Sequence, residues 1–377
     1  MNGSWPRIEI LMHGDEQGCL PARSNRHSWI TPGGVVLSAP SPRRQLCGDR
    51  GVGSPVHNRY VPFGLMASAD RCAGSVDEEL RTWLASLDQG PARFDVDEVR
   101  ARGRSRALAR PREPEVASIR DRSLRTGSGT LEVRVYEPAD ASATAIVYLH
   151  GGMWMIGDLE THDRTCRRLA VATRAPVIAV DYRRAPEHQW PAAVEDGLDA
   201  VQWVASELGC PTPVIAGDSA GGHLALLVAV RLRDRGDGCG GLLLACPNTD
   251  LRLNTRSVDE LGRGWGLDVE SLRWAVERWL PSGISIDDPV VSPLLADLAG
   301  LPPVVIVTAD HDPLRDEGHA LAHALHQAGV TVIERCEERM VHGFVQNLDQ
   351  VSSRAAEAID RWHEDARRLI ASINTQG

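Results

Sequence analysis

The sequence has 377 residues, of which 42% are hydrophobic, so it is long enough to bury a large core in one big α/β domain or two smaller ones. A formal net charge of -10 at pH 7, without a basic stripe, argues against a nucleic-acid partner. No apolar run approaches the roughly 18 residues that a membrane span requires, and no secretory signal pattern opens the chain, which predicts a soluble cytoplasmic protein.

The eight cysteines form neither a C-x-x-C motif nor a cluster with histidine at metal-ligand spacing. They are therefore predicted to be free thiols, and no metal or organic cofactor is expected. All 41 basic residues are arginines, because the chain contains no lysine. We interpret this composition as a coding bias rather than a functional choice.

Residues 1–65 differ in composition from the rest of the chain. Gly, Pro, Ser, Asn and Arg are frequent there, and no helical or strand period persists. Seven arginines stand against four acidic residues, whereas the remainder is strongly acidic. The segment is predicted to be a disordered or non-native extension, with Met66 as the natural first residue. A regulatory or targeting arm is the alternative.

The remaining chain shows a regular order of elements. Apolar residues in 75–106 recur at helical spacing and predict two amphipathic helices. Segments 116–124 and 131–136 are typical of a hairpin at a sheet edge. After them, short apolar strands alternate with helices, which predicts a parallel sheet covered on both faces. The predicted strands are 145–149, 176–180, 213–217, 242–245, 304–308 and 330–333, and the predicted helices include 163–173, 192–208, 316–328 and 351–373.

A serine lies between glycines in Gly217-Asp218-Ser219-Ala220-Gly221, directly after a predicted strand and before a helical pattern. A nucleophile elbow needs this order, because its glycines remove side chains that would collide in the tight turn. The turn can then hold the serine in a strained conformation with its hydroxyl exposed. An ordinary helix N-cap is the alternative for a serine among small residues.

Functional groups in a parallel sheet collect at the carboxyl ends of the strands. One such end runs into His150-Gly151-Gly152, where two glycines permit a bend that offers backbone N–H groups to a ligand. Together with the N–H of Ala220, these donors would form an oxyanion hole. A tight turn with incidental glycines is the alternative.

Two further strand ends supply an acid and a base. Asp312 follows the predicted strand 304–308 and precedes a proline that holds it extended, so it is the predicted partner of a catalytic imidazole, with Asp310 as the alternative. His342 follows the acid by one helix and one strand, which gives the order Ser, Asp, His expected of α/β-hydrolases. His311 is the nearest rival but sits beside the acid.

Five sequence blocks therefore occur in one order along the chain: His150-Gly151-Gly152, Asp181-Tyr182-Arg183-Arg184-Ala185-Pro186-Glu187, Gly217-Asp218-Ser219-Ala220-Gly221-Gly222, Asp312-Pro313-Leu314-Arg315-Asp316-Glu317-Gly318 and His342-Gly343-Phe344. Together they resemble the bacterial hormone-sensitive-lipase-like esterases. The resemblance implies an α/β-hydrolase fold, with a mostly parallel central sheet, helices on both faces and a helical cap. The cap would come from about 75–106 and 247–285, within a domain of residues 66–377.

The chain departs from the family pattern at two positions. Met153 stands where the family usually has a third glycine, at a position that the resemblance implies to be an oxyanion-hole donor beside Gly151 and Gly152. Methionine offers the same N–H, but its side chain restricts φ and narrows the acyl side of the pocket. Arg184 replaces a leucine, which we expect to affect packing more than chemistry.

Several residues near these motifs are candidates for the substrate pocket. Trp154 is predicted to crowd the mouth of the oxyanion hole together with Met153. Trp274 and Trp279 belong to the second cap segment, 247–285, and could line the pocket, although packing between cap helices is favoured for both. The pocket candidates are Trp154, Asp218, Trp265 and Phe344.

These parts predict a serine carboxylic-ester hydrolase that uses Ser219, His342 and Asp312 and passes through an acyl-enzyme. The crowded hole favours small-molecule esters with short acyl groups. Amide cleavage, N-deacetylation or acyl transfer on a bacterial natural product is the alternative. A non-catalytic ligand-binding protein is a more remote one, because the plant gibberellin receptors resemble this family but have lost the histidine. A homodimer is also a predicted possibility.

Overall fold

Short apolar runs form the middle of an eight-stranded sheet in the computed structural model, which describes residues 75–87 and 93–375. Every residue of the third to sixth strands is buried, because helices cover both faces of the sheet. The strands are β1 (Ser118–Thr126), β2 (Gly129–Glu137), β3 (Ile146–Leu149), β4 (Val177–Val180), β5 (Val214–Asp218), β6 (Gly241–Ala245), β7 (Val304–His311) and β8 (Val332–Val341).

The strand order across the sheet is β1-β2-β4-β3-β5-β6-β7-β8. The first two strands form an antiparallel hairpin, and β2 pairs antiparallel with β4. All other neighbours are parallel. The predicted mostly parallel sheet with a hairpin at one edge is confirmed.

Alternation along the strands divides the core into two layers. In β3, Val147 and Leu149 belong to one apolar cluster, and Ile146 and Tyr148 belong to the other. Successive side chains of a strand point to opposite faces, so each cluster packs under its own set of helices. The described helices are α1 (Glu78–Ser86), α2 (Val96–Leu108), α3 (Asp163–Thr173), α4 (Ala192–Glu207), α5 (Ala220–Asp234), α6 (Arg256–Leu261), α7 (Val269–Trp279), α8 (Arg315–Gln327), α9 (Phe344–Asn347) and α10 (Ser353–Asn374).

The last two strands are longer than their sequence patterns predict. The prediction of 330–333 is wrong in length, because β8 continues through charged residues to Val341. These charges are tolerated at the sheet edge, where they form ion pairs with α10. Arg335 lies 2.6 Å from Asp365, and Arg361 lies 2.6 Å from Glu337. The extension brings the end of β8 beside the end of β7, which also extends past the predicted residue 308.

Two tryptophans of the insertion after β6 are packing residues. Trp279 is 1% exposed and stacks on Trp154 with 4.9 Å between ring centroids. Trp274 is 7% exposed and packs against Phe94 at 4.8 Å. These positions agree with the favoured prediction for both rings, which was packing between elements rather than a place in the pocket wall.

The predicted extension, residues 1–65, lies outside the residues that the structure describes. Among residues 75–87 and 93–375, no helix combines the length and the apolar character needed to cross a bilayer.

Candidate active site

Ser219 occupies the tight turn between β5 and α5 and has a strained backbone, with φ 55° and ψ -121°. Flanking glycines make the turn possible. A Cβ built on Gly221 would lie 2.0 Å from the carbonyl oxygen of Leu149, and one on Gly217 would lie 2.4 Å from the backbone of Gly221. No larger residue fits at either position without moving the backbone, so the predicted role of these glycines has a direct steric basis.

Three side chains from separate strand ends meet in a line. His342 Nε2 lies 2.9 Å from Ser219 Oγ, and His342 Nδ1 lies 2.8 Å from Asp312 Oδ2. The other oxygen of Asp312 accepts a hydrogen bond of 2.8 Å from the N–H of Leu314. The Asp312 carboxylate is fully buried, so this geometry is held away from water. A proton on Nδ1 leaves Nε2 free to accept the serine proton.

The electrostatics of His342 favour a base with an elevated pKa. Burial alone would lower the pKa of the imidazole, but the charge and hydrogen bond of Asp312 outweigh it and raise the pKa above the ordinary value. The buried carboxylate therefore stabilises the imidazolium that forms when the base takes a proton.

The alternative acid and base have other partners. Asp310 accepts a hydrogen bond of 2.7 Å from His311 Nδ1 and another of 2.9 Å from the N–H of Met340. His311 also packs against the ring of Trp265, with 4.7 Å between centroids. Both residues thus brace the ends of β7 and β8, while Asp312 and His342 face Ser219.

The loop after β3 presents its backbone toward Ser219. Gly152 and Met153 both have positive φ, at 122° and 51°. Their N–H groups and that of Ala220 have no hydrogen-bond acceptor among the described residues, so they are available to a ligand. The N–H of Gly151 donates to Asp218 Oδ1 at 3.0 Å. The prediction of Gly151 as an oxyanion donor is therefore wrong, because its N–H is already used to hold the loop.

Asp218 is a buried residue that holds neighbouring elements together, and it does not line the pocket. It is 1% exposed, and its carboxylate accepts hydrogen bonds from Tyr148 Oη at 2.7 Å and Gln346 Nε2 at 2.7 Å, besides Gly151. Burial raises its pKa, but His162 and these donors outweigh burial and hold the pKa of the carboxyl well below its usual range. One carboxylate thereby connects the elbow, the loop after β3 and α9.

Two other pocket candidates are also buried in the core. Trp154 is 0% exposed, and its Nε1 donates to His223 Nδ1 at 3.0 Å, so it cannot crowd the mouth of the site as predicted. Phe344 is likewise 0% exposed, in the cluster beneath α10. In both cases the apolar ring is better buried than exposed to a polar cleft.

A cavity of about 390 Å³ opens over Ser219 and His342. The insertion contributes Gly266 and Leu267 to its wall. Trp265, the remaining pocket candidate, is not among the described residues that line this cavity, and its ring packs against His311 instead. Trp83 of α1 also lines the cavity, a contribution that the sequence analysis missed. Its helical spacing with Leu80 and Leu84 indicated an apolar face, but periodicity alone does not separate a core residue from a pocket residue.

Two buried residues that the sequence analysis did not single out hold the site in place. Glu317 accepts a hydrogen bond of 2.6 Å from the N–H of Thr249 and one of 2.9 Å from Asn248 Nδ2, which ties α8 to the segment after β6. Tyr182 donates its hydroxyl to the carbonyl of His150 at 2.7 Å and so supports the loop after β3. A buried tyrosine needs such a partner, and this bond explains its place in the Asp-Tyr-Arg block.

Cys246, Asp312 and His342 offer ligand atoms that all lie within 4.8 Å of one another. Burial and the charge of Asp312 raise the pKa of the Cys246 thiol well above its ordinary value. Metals bind the thiolate, so this set is chemically a poor metal site. The imidazole and the carboxylate are also hydrogen-bonded to each other.

Comparison with known proteins agrees with this architecture. Residues 146–346 match the family described as the alpha/beta hydrolase fold. Carboxylesterase NlhH of Mycobacterium tuberculosis is 41% identical over 303 residues, which cover 75% of this chain and 94% of the relative. Ethyl acetate hydrolase of Pseudomonas putida is 36% identical over 294 residues, covering 74% of this chain and 89% of the relative. The structure of a hyperthermophilic esterase from the archaeon Pyrobaculum calidifontis matches with a TM-score of 0.73 and 35% identity, covering 79% of this chain and 99% of that one.

The chain belongs to the α/β-hydrolase family, in its hormone-sensitive-lipase-like branch. It is an enzyme of the carboxylesterase type, in line with these relatives. The family and fold predicted from the sequence blocks are thus confirmed.

The substitution Asp218→Asn is expected to lower the free energy of unfolding at neutral pH by about 2–3 kcal/mol, because the buried donors around this residue lose a charged acceptor. The folded-state pKa of Asp218 lies below its unfolded-state pKa, so its contribution is present above about pH 4 and is lost as the pH falls further. Denaturant unfolding of both proteins should therefore show a difference that shrinks as the pH falls below about 4.

The exposed Asp237 supplies the matched control, since Asp237→Asn should leave the unfolding free energy nearly unchanged. A difference between wild type and Asp218→Asn that stays the same at every pH would contradict the assigned charge state.

Proposed function

We propose that the protein is a serine carboxylic-ester hydrolase whose nucleophile, base and acid are Ser219, His342 and Asp312. The observation that carries this proposal is the continuous pair of hydrogen bonds from Ser219 Oγ through the imidazole to Asp312, at 2.9 and 2.8 Å. An ordinary surface serine does not require a histidine partner that is itself hydrogen-bonded to a buried carboxylate, whereas a catalytic serine does.

The reaction follows from these positions. As Ser219 Oγ attacks the ester carbonyl, His342 Nε2 takes the hydroxyl proton and then gives it to the leaving alcohol. The oxyanion is received by the N–H groups of Gly152, Met153 and Ala220, each contributing on the order of 3 kcal/mol. Water, activated by the same histidine, then hydrolyses the acyl-enzyme and releases the acid.

We also propose that small esters with short acyl groups are preferred. Met153 lines the cavity and supports this preference, whereas the buried Trp154 no longer does. A relative that is 36% identical to the chain is named ethyl acetate hydrolase, and ethyl acetate is a small ester with a short acyl group.

The helical cap is part of the same proposal. It would consist of α1 and α2 before the sheet and α6 and α7 of the insertion, within the proposed domain of residues 66–377. Trp83 and Leu267 support it, because they line the cavity from these two segments. The cytoplasmic location and the homodimer remain predictions from the sequence.

Ser219→Ala is expected to lower kcat by at least about four orders of magnitude, since the residual rate rests on binding and the oxyanion donors alone. Hydrolysis of p-nitrophenyl acetate measures the loss, and circular dichroism checks the fold. A fluorophosphonate probe should label wild type at Ser219 and leave this variant unlabelled. The exposed Ser206 gives the control, since Ser206→Ala should keep both activity and labelling. Retained turnover in Ser219→Ala would remove the assignment.

Activity should depend on a neutral imidazole, so kcat/KM should fall as the pH drops through the raised pKa of His342. Asp312→Asn removes the charge that raises this pKa and should shift the inflection to lower pH, besides slowing the reaction. A pH–rate profile from about pH 5 to pH 9 measures both effects. A flat profile over that range is incompatible with His342 as the base.

Acyl-chain length tests the proposed preference. Esters of p-nitrophenol with acetate and butyrate should have kcat/KM values about tenfold or more above the octanoate, because extra methylenes meet the side chain of Met153. Met153→Ala keeps the backbone donor, widens the pocket and should raise the octanoate rate relative to the acetate rate. A wild-type rate that still grows beyond octanoate contradicts the preference.

A further inference from the structure

A second cavity, of about 270 Å³, adjoins the loop after β3 on the side facing α2. The two cavities share wall residues, among them Gly152, Gln346 and Arg110, so they meet beside the proposed oxyanion donors. A substrate bound at Ser219 can therefore extend one of its ends toward α2.

Two arginines line this second cavity without a partner. Arg106 lies in the last turn of α2, and Arg110 follows the helix. No ion pair or side-chain hydrogen bond engages either guanidinium among the described residues, 75–87 and 93–375. Both cations lie near the carboxyl end of α2, where the helix dipole favours positive charge.

Other charges around the second cavity are matched. Arg100 forms hydrogen bonds of 2.7 and 2.9 Å with the two carboxylate oxygens of Glu187. Asp158, the carboxylate in the wall, accepts from Arg104 at 2.8 Å and from the N–H of Thr161 at 2.8 Å. The unmatched charge of the wall is therefore positive and belongs to Arg106 and Arg110.

The wall of the first cavity also carries an excess of positive charge. No Asp or Glu is among the described residues that line it, and Arg110 is its permanently charged wall residue. Arg110 is more than a third exposed, yet its partial burial and the charges of Arg106 and Arg164 lower its pKa, against the attraction of Asp349. Asp349 is itself shared by Arg164 and Arg168. Arginine stays protonated despite such shifts, so a bound anion would relieve the repulsion.

We propose that Arg106 and Arg110 bind a carboxylate of the ester substrate, so that the preferred substrates are anionic esters, either half-esters of dicarboxylic acids or acylated hydroxy acids. Guanidinium groups suit this task because they pair with carboxylates through two parallel N–H···O bonds. This inference rests on the proposed esterase function and adds the charge of the substrate to it.

The test compares ester pairs that differ only in charge. On the acyl side these are monoethyl succinate and its neutral amide, ethyl succinamate, and on the alcohol side the acetates of γ-hydroxybutyrate and of γ-hydroxybutyramide. For at least one pair, kcat/KM of wild type should be about tenfold or more higher for the anion, as expected for charge-assisted hydrogen bonds. High salt should reduce that ratio.

The double variant Arg106→Gln/Arg110→Gln should lower the ratio of anionic to neutral kcat/KM by about tenfold. Arg102→Gln is the matched control, because Arg102 lies on the same helix, is exposed and pairs with Glu98. It should keep the wild-type ratio. Because the result is a ratio within each protein, a general loss of activity in the double variant does not imitate it.

Each outcome decides the inference. A wild-type preference that disappears in the double variant and persists in Arg102→Gln supports it. Neutral esters hydrolysed as well as their anionic counterparts would overturn it and leave the esterase proposal intact, as would a preference that survives in the double variant. If no ester is hydrolysed and the fluorophosphonate probe fails to label Ser219, the proposed function is wrong and the inference falls with it.

Discussion

The close approach of α5 to the end of β3 is the constraint on which the site depends. The backbone of Gly221 passes so near the carbonyl of Leu149 that a single Cβ would overlap it at 2.0 Å. This contact places the nucleophile turn beside the loop after β3, and Asp218 fixes the distance through its bond to the N–H of Gly151. The Ser219 hydroxyl and the proposed oxyanion donors are thus set relative to each other by backbone sterics and one buried charge, before any substrate binds.

Burial strengthens the electrostatic interactions and hydrogen bonds of the charged groups in the site. Asp312 and Asp218 are both buried, and each carboxylate accepts hydrogen bonds from neighbouring donors. The two have different tasks, since one raises the basicity of His342 and the other holds backbone in place. Cys246 lies beside the first of them as a thiol of raised pKa, so it adds no competing negative charge.

The sequence predicted those features that depend on local pattern. The central strands consist mostly of apolar residues, and the tight turn requires the glycines around Ser219, so both features could be recognised in the sequence. Side-chain direction was not. Trp154 follows the predicted oxyanion motif in sequence, yet its positive φ of 58° turns the ring into the core, where it stacks on Trp279. Asp218 likewise stands next to the nucleophile but points into the protein, toward Tyr148 and Gln346.

The length of β8 was missed for a related reason. Its residues beyond 333 are mostly charged, and an apolar pattern cannot reveal a strand whose outer positions are stabilised by ion pairs with a helix more than twenty positions later in the chain. The unpaired arginines at the end of α2 could not be predicted either, because in a sequence rich in arginine only the fold decides which arginines find an acidic partner. The length of β8 and the unpaired state of these arginines both depend on which residues the fold brings close together, and residue type alone does not reveal this.

The way in which α2 is attached has a mechanical consequence. No residue of Val96–Leu108 is fully buried, and polar contacts hold the helix, chiefly those of Arg100 with Met155 O and Ala185 O. By contrast, α7 is anchored by Trp279 beneath the core. Lifting α2 would expose little apolar surface and exchange its hydrogen bonds for bonds to water, so opening costs least on that side. Access to the second cavity, which α2 lines, is therefore easiest to open along this one helix.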